Sequence, residues 1–270
     1  MRLAERIRKT VVAPREVALF ALGQAGFCVK TGLGTVAYVD PYLSDCCERL
    51  FGFRRMIPPV IAADEVEADL LISTHAHADH LDLDAAAVIA QDPRTHFVGA
   101  PDCAAPYRDL GLPEDRTTIL PRGKRATFRD LIVRATYADH GDLAPEAIGV
   151  VLTMEGISLY DVGDSGLAVD WLAQSVGTVV DVMIAPINGR FGNLDARDAC
   201  VLAEAIRPQL LIASHFGMFV EHDGDPARFL EEAGALPPDI TALVLAPGEL
   251  LDVEKHTDGS LSFTRETLPA

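Results

Sequence analysis

The segment Leu70–Leu81 constrains the fold of this chain more than any other part of the sequence. It runs from an apolar stretch, Leu70–Ser73, into three histidines and one aspartate within six positions, namely His75, His77, Asp79 and His80. The apolar stretch predicts a short buried strand. Because side chains two apart in extended backbone point the same way, His75 and His77 can converge on one point beyond that strand. We expect Asp79 and His80 to face an adjacent point as the chain turns into a helix.

Imidazole and carboxylate groups this close together are typical of a site for a divalent metal ion. Neutral imidazoles and a carboxylate suit zinc, manganese or iron(II), and the absence of a thiolate leaves the choice among them open. A lone histidine usually has a structural or solvated role. Burying four such groups without a metal, however, would leave polar side chains short of partners at about 1–3 kcal/mol each. The cluster therefore predicts a metal site.

Further metal ligands are expected at the ends of other strands. Three candidates follow the apolar runs Leu131–Tyr137, Ser158–Val162 and Leu210–Ala213, and they are His140, Asp164 and His215. The remaining histidines lie at the start of a strand or in polar segments, and we interpret them as structural or solvated: His96, His222 and His256.

Short apolar runs and turn residues alternate along the rest of the chain. Besides the runs named above, the pattern predicts strands at Val17–Leu22, Gly26–Lys30, Thr35–Val39, Ile148–Met154, Val182–Ala185 and Thr241–Leu245. Helices are predicted at Leu81–Ala90, Leu167–Ser175, Asp195–Ile206 and Pro226–Ala233. No linker rich in Pro, Gly or Ser separates two halves. Mixed strands followed by strand–helix alternation predict an α/β (α+β) fold, a four-layer αββα sandwich forming a single domain over residues 1–270.

Charge and cysteine content narrow the partners and the cellular location. Acidic residues outnumber basic ones 40 to 23, which gives a formal charge of −17 and disfavours nucleic acid as a partner. The five cysteines include no Cys-x-x-Cys pair, which argues against a disulfide framework and fits a reducing cytoplasm. No secretory leader precedes Pro14, and no apolar run approaches the ~20 residues of a membrane span. We expect a cytoplasmic protein with no membrane partner.

Three of these motifs resemble those of the metallo-β-lactamase superfamily. THAHADH resembles its His-x-His-x-Asp-His signature, the GD of DVGDSG its bridging aspartate, and the SH of ASHFG its last histidine ligand. The resemblance implies that one metal is bound by His75, His77 and His140. It also implies that a second metal is bound by Asp79, His80 and His215. Asp164 would bridge both metals.

A narrower resemblance covers nearly the whole chain. LGQAGF, YVDPYLSD, THAHADHLD, LYDVGDSG, INGRFGNLDARDA and ASHFGMFVEHDGDPARF together resemble the L-ascorbate-6-phosphate lactonase branch. That resemblance implies an αββα fold, one or two divalent metal ions (Mn²⁺ or Zn²⁺), and hydrolysis of a phosphorylated sugar lactone. It also implies a homo-oligomer and a small anionic substrate as partners.

A lactonase mechanism assigns roles to individual residues. Two cations lower the pKa of a bound water enough to supply hydroxide near pH 7, and this hydroxide would attack the lactone carbonyl. Asp79 is predicted to be the catalytic residue that orients the hydroxide and takes its proton. Asp40 is either an acceptor for a ligand imidazole or a turn residue before a proline. Arg190, in the loop NGRFGN, is predicted to pair with a substrate phosphate, with Arg54 or Arg55 as alternatives.

Two other functions are left open by the sequence. A phosphodiesterase of the same fold would use the same metals and differ only in its pocket; a basic RNA-binding arm would favour it, and none is visible. A metal-binding protein without turnover would also keep the ligands. The near-complete ligand set argues against this second alternative.

Overall fold

Two mixed β-sheets form the centre of the computed structural model, which describes residues 1–267. The strands are β1 (Glu16–Gly23), β2 (Gly26–Thr31), β3 (Val36–Val39), β4 (Leu70–Ser73), β5 (His96–Gly99), β6 (Thr117–Ile119), β7 (Arg125–Phe128), β8 (Leu131–Tyr137), β9 (Ile148–Met154), β10 (Ile157–Asp161), β11 (Val182–Pro186), β12 (Leu210–Ser214), β13 (Thr241–Leu243), β14 (Leu250–Lys255) and β15 (Leu261–Glu266). The α-helices are α1 (Leu3–Lys9), α2 (Cys46–Phe51), α3 (Leu83–Ile89), α4 (Ala104–Asp109), α5 (Val169–Val176), α6 (Ala196–Ile206) and α7 (Pro226–Ala233).

Strand direction brings the ends of several strands to the same edge of each sheet. The first sheet has the order β15-β14-β1-β2-β3-β4-β5-β6, with β3 to β6 parallel. Strand β1 runs in the same direction as β3, because two antiparallel pairings through β2 separate them. The second sheet has the order β13-β12-β11-β10-β9-β8-β7, with β10 to β13 parallel and β8 running with them across the antiparallel β9. Residues after β1 and β4 therefore share one edge, and so do those after β8, β10 and β12.

The sheets pack face to face, and helices cover their outer sides. In the second sheet Val150 faces the core between the sheets, whereas Val151 and Met183 face helices α5, α6 and α7. This alternation follows from the two-residue period of a strand. Helices α3 and α4 pack against the first sheet, where the Tyr107 ring lies 5.8 Å from that of Phe97. The predicted fold with two sheets covered by helices is confirmed.

One buried carboxylate holds the start of the helix that follows the ligand segment. Helix α3 begins at Leu83, two residues later than predicted, because Asp82 is its N-cap and accepts a hydrogen bond from the Ala85 N–H. The other oxygen of Asp82 accepts the N–H groups of Leu43 and Ser44 at 2.9 and 2.7 Å. Asp82 therefore ties the ligand segment to the loop after β3.

The helices are short, and the longest described one is the eleven-residue α6. Asp195 and Asp198 form a capping box at its start, and Arg207 ends it with a positive φ just before Pro208. Within residues 1–267, no helix has both the length and the apolar character needed to cross a membrane.

Candidate metal centre

Seven side chains assigned to metal ions by the sequence meet at the edge where these strands end: His75, His77, Asp79, His80, His140, Asp164 and His215. Among the described residues, three groups could hold an ion, each with its ligand atoms within 4.8 Å of one another. We call one group, His75, His77 and His140, the histidine trio. We call another, Asp79, His80 and His215, the mixed trio. The third group consists of His75, His80 and Asp164. Metal binding by these residues stays a prediction, but their arrangement is that of a metal centre.

In the histidine trio, hydrogen bonds decide which nitrogen of each ring faces the site. Nε2 of His75 and Nδ1 of His77 lie 2.8 Å apart. The Nε2–H of His77 donates to the Leu143 carbonyl oxygen at 3.1 Å, which leaves its Nδ1 free. The Thr74 hydroxyl donates to Asp40, so its oxygen accepts the Nδ1–H of His75 at 3.1 Å and leaves Nε2 free. Two lone pairs therefore point at one position, as metal ligation requires.

His140 completes the histidine trio from the end of β8. The residue is buried, and its Nδ1 has no hydrogen-bond partner among the described residues. Its Nε2 lies 3.7 Å from Oδ2 of Asp164. Burial lowers the pKa of His140, which favours the neutral imidazole that binds metals. A buried ring nitrogen without a hydrogen-bond partner destabilises the folded state. His140 is therefore the ligand with the least hydrogen-bond support in the histidine trio.

The ligands of the mixed trio have more hydrogen-bond support around them than those of the histidine trio. Nε2 of His80 lies 3.2 Å from Nε2 of His215, and Nε2 of His215 lies 3.5 Å from Oδ2 of Asp79. The Nδ1–H of His80 donates to Oδ2 of Asp40 at 2.7 Å, which leaves Nε2 facing the other ligands. These three ligands come from the turn after β4 and from the end of β12.

Asp40 fulfils both roles that the sequence left open. It follows β3 with a positive φ immediately before a proline, as a turn residue does. Its buried carboxylate also accepts hydrogen bonds from the Thr74 N–H at 2.8 Å, the Thr74 hydroxyl at 2.6 Å and His80. Through Thr74, the same carboxylate also supports His75. One buried acid thus orients a histidine in each trio.

Asp164 lies between the two trios. Its Oδ1 is 3.3 Å from Nε2 of His80 and 3.2 Å from Nε2 of His215. Its Oδ2 faces His140 on the other side. This is the position that the resemblance implied for a bridging carboxylate.

The charges of the centre follow from burial and from the mixture of imidazoles and carboxylates. Burial lowers the pKa of His75 well below its usual value. Burial alone would raise the pKa of the Asp164 carboxyl, but His215 and His80 outweigh it and hold that pKa well below its usual range. Burial alone would lower the pKa of His215, yet Asp164 and Asp79 raise it to about 9. A divalent cation would therefore replace protons on the mixed trio when it binds, and the donor set of imidazoles and carboxylates fits such an ion.

Two further side chains lie in the centre that the sequence analysis did not assign to it. The Nε2–H of Gln24, in the turn after β1, donates to Oδ2 of Asp79 at 2.8 Å. His222 stacks on His215 with ring centroids 4.9 Å apart, and its Nδ1 lies 3.2 Å from Nε2 of Gln24. Of the two roles predicted for His222, structural or solvated, the solvated one is therefore wrong, whereas none of the groups among the described residues that could hold an ion includes this residue. The sequence feature that could have indicated this role is the position of His222, seven residues after the last ligand, in the loop that follows β12.

A cavity of about 460 Å³ opens above the ligands. Its polar side consists of five ligand residues and one further histidine: His77, Asp79, His140, Asp164, His215 and His222. Its apolar side consists of side chains from helix α2 and from several loops: Cys47, Phe51, Phe53, Ala78, Leu143, Phe191 and Phe219. The candidate metal centre is therefore accessible to a small molecule from one side.

Two of the three arginines proposed as phosphate anchors, Arg190 and Arg55, are engaged elsewhere. Nε of Arg190 pairs with the Asp223 carboxylate at 2.6 Å, and both side chains are exposed. Arg55 donates to the carbonyl oxygens of Ile57 and Ser44 at 2.7 and 2.9 Å. Among the residues that the structure describes, no Lys or Arg lines the cavity. The role of Arg190 in substrate binding stays a prediction.

Comparisons with known proteins agree with this geometry. The family model described as the beta-lactamase superfamily domain matches residues 19–215. A UPF0173 metal-dependent hydrolase of Carboxydothermus hydrogenoformans is 30% identical over 238 residues, covering 85% of this chain and 97% of the relative. Another from Methanopyrus kandleri is 28% identical over 235 residues, covering 84% and 96%. The metallo hydrolase Igni18 of Ignicoccus hospitalis shares the fold with a TM-score of 0.67 at 24% identity, covering 88% of this chain and 99% of that one. The chain therefore belongs to the metallo-β-lactamase superfamily, among its UPF0173 metal-dependent hydrolases.

Proposed function

We propose that the protein hydrolyses a carboxylic ester or a lactone, with divalent zinc or manganese ions bound by the histidine trio and the mixed trio. The observation that carries this proposal is the convergence of both trios on the base of one small-molecule cavity, with Asp164 between them. A lactone is also the substrate class of the branch that the motifs resemble. When bound, such ions supply a Lewis acid and lower the pKa of water.

Asp79 is the side chain proposed to act on the attacking water. It lines the cavity, and Gln24 fixes one of its oxygens. Burial alone would raise the pKa of Asp79, but His80 and His215 outweigh it and lower that pKa, so the group is a carboxylate. A carboxylate there orients the water by accepting its hydrogen bond and then takes its proton. The water oxygen bonds to the carbonyl carbon, the acyl C–O bond breaks, and the proton passes to the leaving alkoxide.

The lining of the cavity favours a carbonyl substrate over a phosphodiester. A phosphodiester carries a negative charge that proteins usually meet with Arg or Lys. No Lys or Arg is among the described residues that line the cavity. A phosphate on a sugar lactone would need Arg190 to leave its pair with Asp223 and turn toward the cavity. We therefore favour an ester or lactone without a phosphate, and a phosphorylated sugar lactone becomes the second candidate.

The test is a panel assay with defined metal content. The purified protein is stripped of metal, reloaded with zinc or manganese in turn, and offered simple lactones, aryl esters, phosphorylated lactones and phosphodiesters. We expect metal-dependent turnover of lactones or esters and none of phosphodiesters. Phosphodiester cleavage without any carbonyl turnover would instead support the phosphodiesterase. A protein that binds metal but turns over nothing in the panel would support a non-catalytic role.

A further inference from the structure

We propose that the substrate carries an apolar group, an alkyl chain or an aryl ring, that binds against one aromatic side of the cavity. This surface, the aromatic wall, consists of Phe51, Phe53, Phe191 and Phe219. The inference deepens the proposed function, because it concerns the same cavity and the part of the substrate that does not react.

The aromatic wall is continuous although it is assembled from three separate loops. Phe51 ends α2 and Phe53 follows it, Phe191 lies between β11 and α6, and Phe219 follows β12. The ring of Phe53 lies 6.3 Å from that of Phe51 and 6.1 Å from each of the other two. These distances are those of interacting aromatic pairs. Three loops that converge on one surface give it a defined shape beside the ligands.

Exposure increases along the aromatic wall toward the mouth of the cavity. Phe219 is fully buried, whereas Phe191 is 45% exposed and Phe51 is 62% exposed. Leu143 also lines the cavity and is 55% exposed, and its carbonyl oxygen supports His77. Apolar surface left in water is unfavourable, and an exposed patch of it usually marks a binding site. Because these side chains line the cavity together with the ligands, we assign the patch to the substrate, not to another protein.

The backbone at Phe191 supports the same conclusion. Phe191 has a φ of 54°, in the left-handed region that bulky residues rarely adopt. Glycine or asparagine would suit this turn with less strain, so the turn itself does not require a phenylalanine. Phe191 instead adds a ring that lies 5.2 Å from the ring of His222 and faces the cavity.

Binding measurements test the inference without depending on turnover. Straight-chain carboxylates from acetate to octanoate are titrated calorimetrically into the protein with and without zinc. Each methylene buried against the aromatic wall should tighten binding about fourfold, so octanoate should bind at least tenfold more tightly than acetate. Equal affinity for acetate and octanoate in both forms would overturn the inference.

Substitutions test whether the preference for octanoate over acetate arises from the aromatic wall. Phe191→Ser should reduce the octanoate-to-acetate affinity ratio about tenfold, and Phe191→Leu, which keeps an apolar side chain, should restore most of it. Trp171→Ala is the matched control, because Trp171 is an exposed aromatic residue on α5 that does not line the cavity. Thermal melts check that all three variants fold. A ratio unchanged in Phe191→Ser, or lost equally in Trp171→Ala, contradicts the assignment.

The same series separates this inference from the proposed function. With p-nitrophenyl esters of the same acids, kcat/KM should rise with chain length in the wild-type protein, and the rise should be smaller in Phe191→Ser. If octanoate binds preferentially but no ester or lactone is hydrolysed, the role of the aromatic wall is supported and the proposed reaction is rejected. Hydrolysis without preference for chain length would keep the reaction and reject the aromatic wall.

Discussion

The two trios of the metal centre differ in charge and in how their ligands are held. The mixed trio contains the Asp79 carboxylate, and each of its members has a neighbour that fixes it: Asp40 for His80, Gln24 for Asp79, and His222 for His215. The histidine trio has no carboxylate of its own. Its support is a loop carbonyl and a threonine hydroxyl, and one nitrogen of His140 has no partner among the described residues.

This difference predicts an order of metal binding. A negative ligand offsets part of the charge of a divalent cation, and neighbours that orient ligands commonly change affinity by about 10- to 100-fold. We therefore expect the mixed trio, together with Asp164, to bind its ion first and more tightly. The histidine trio should bind second and lose its ion first on dilution or chelation.

The largest effect is expected from Asp164, which lies between the two trios. Asp164→Asn removes the charge that faces His80 and His215 on one side and His140 on the other. Metal content should fall below one ion per chain, and turnover should drop roughly a thousandfold or more. Elemental analysis and kinetics check this, with His256→Ala as the control, since His256 lies outside the centre. A variant that keeps two ions would show that Asp164 does not bridge.

The second prediction separates the trios directly. His77→Ala should leave about one ion per chain, bound by the mixed trio, whereas His80→Ala should lower the content further because it removes a ligand that Asp40 orients. Turnover should fall strongly in both. Native mass spectrometry counts the ions in each variant. Equal metal loss in the two variants would contradict the order of binding.

A smaller effect is expected from a neighbour of the mixed trio. Gln24→Met keeps the size of the side chain but removes the N–H that Asp79 accepts. Affinity at the tighter site should fall about tenfold, as for other outer partners of metal ligands, with little change at the weaker site. Competition with a chelator of known affinity resolves the two steps. A change confined to the weaker site would reverse the assignment of the sites.

The smallest effect is expected at Arg190, which belongs to neither trio. Its pair with Asp223 is exposed, and such pairs contribute about 0.2–1 kcal/mol. Arg190→Ala should therefore leave metal content unchanged and alter kcat/KM for unphosphorylated esters less than about threefold. A selective rise of KM for a phosphorylated lactone would instead establish Arg190 as the phosphate anchor and favour the second candidate substrate.

The sequence predicted central buried strands well because their signal is local. Strands β4, β8 and β9 and helix α7 have the predicted bounds, since each is a mostly apolar run or a helix opened by proline. Strands β6, β7, β14 and β15 were missed, and so were helices α1, α2 and α4. Strand β14 becomes buried by pairing with β1, where Leu251 lies opposite Leu19, more than two hundred residues earlier. Nothing within the short LLDVEK segment indicates that partner.

The candidate site likewise has residues that the local sequence predicts and residues that it does not. Its ligands follow apolar runs, so their spacing and position were visible in the sequence. Gln24 and His222 were not, because their roles depend on a turn and a loop that meet only in the folded chain. The aromatic wall was missed for the same reason, as its rings come from three loops. The partner of Arg190 likewise lies 33 residues further along, at Asp223.

The dispersal of the ligands along the chain also sets when the centre can form during synthesis. His75 leaves the ribosome long before His215, the last of the seven candidate ligands. Strand β1 can pair only when β14, which is synthesised later still, has been made. At about 5–20 residues per second, the early histidines spend several seconds without their later partners. A metal ion that needs all of these ligands would therefore bind only after His215 has been made, which would make the supply of ions to newly made protein part of its maturation.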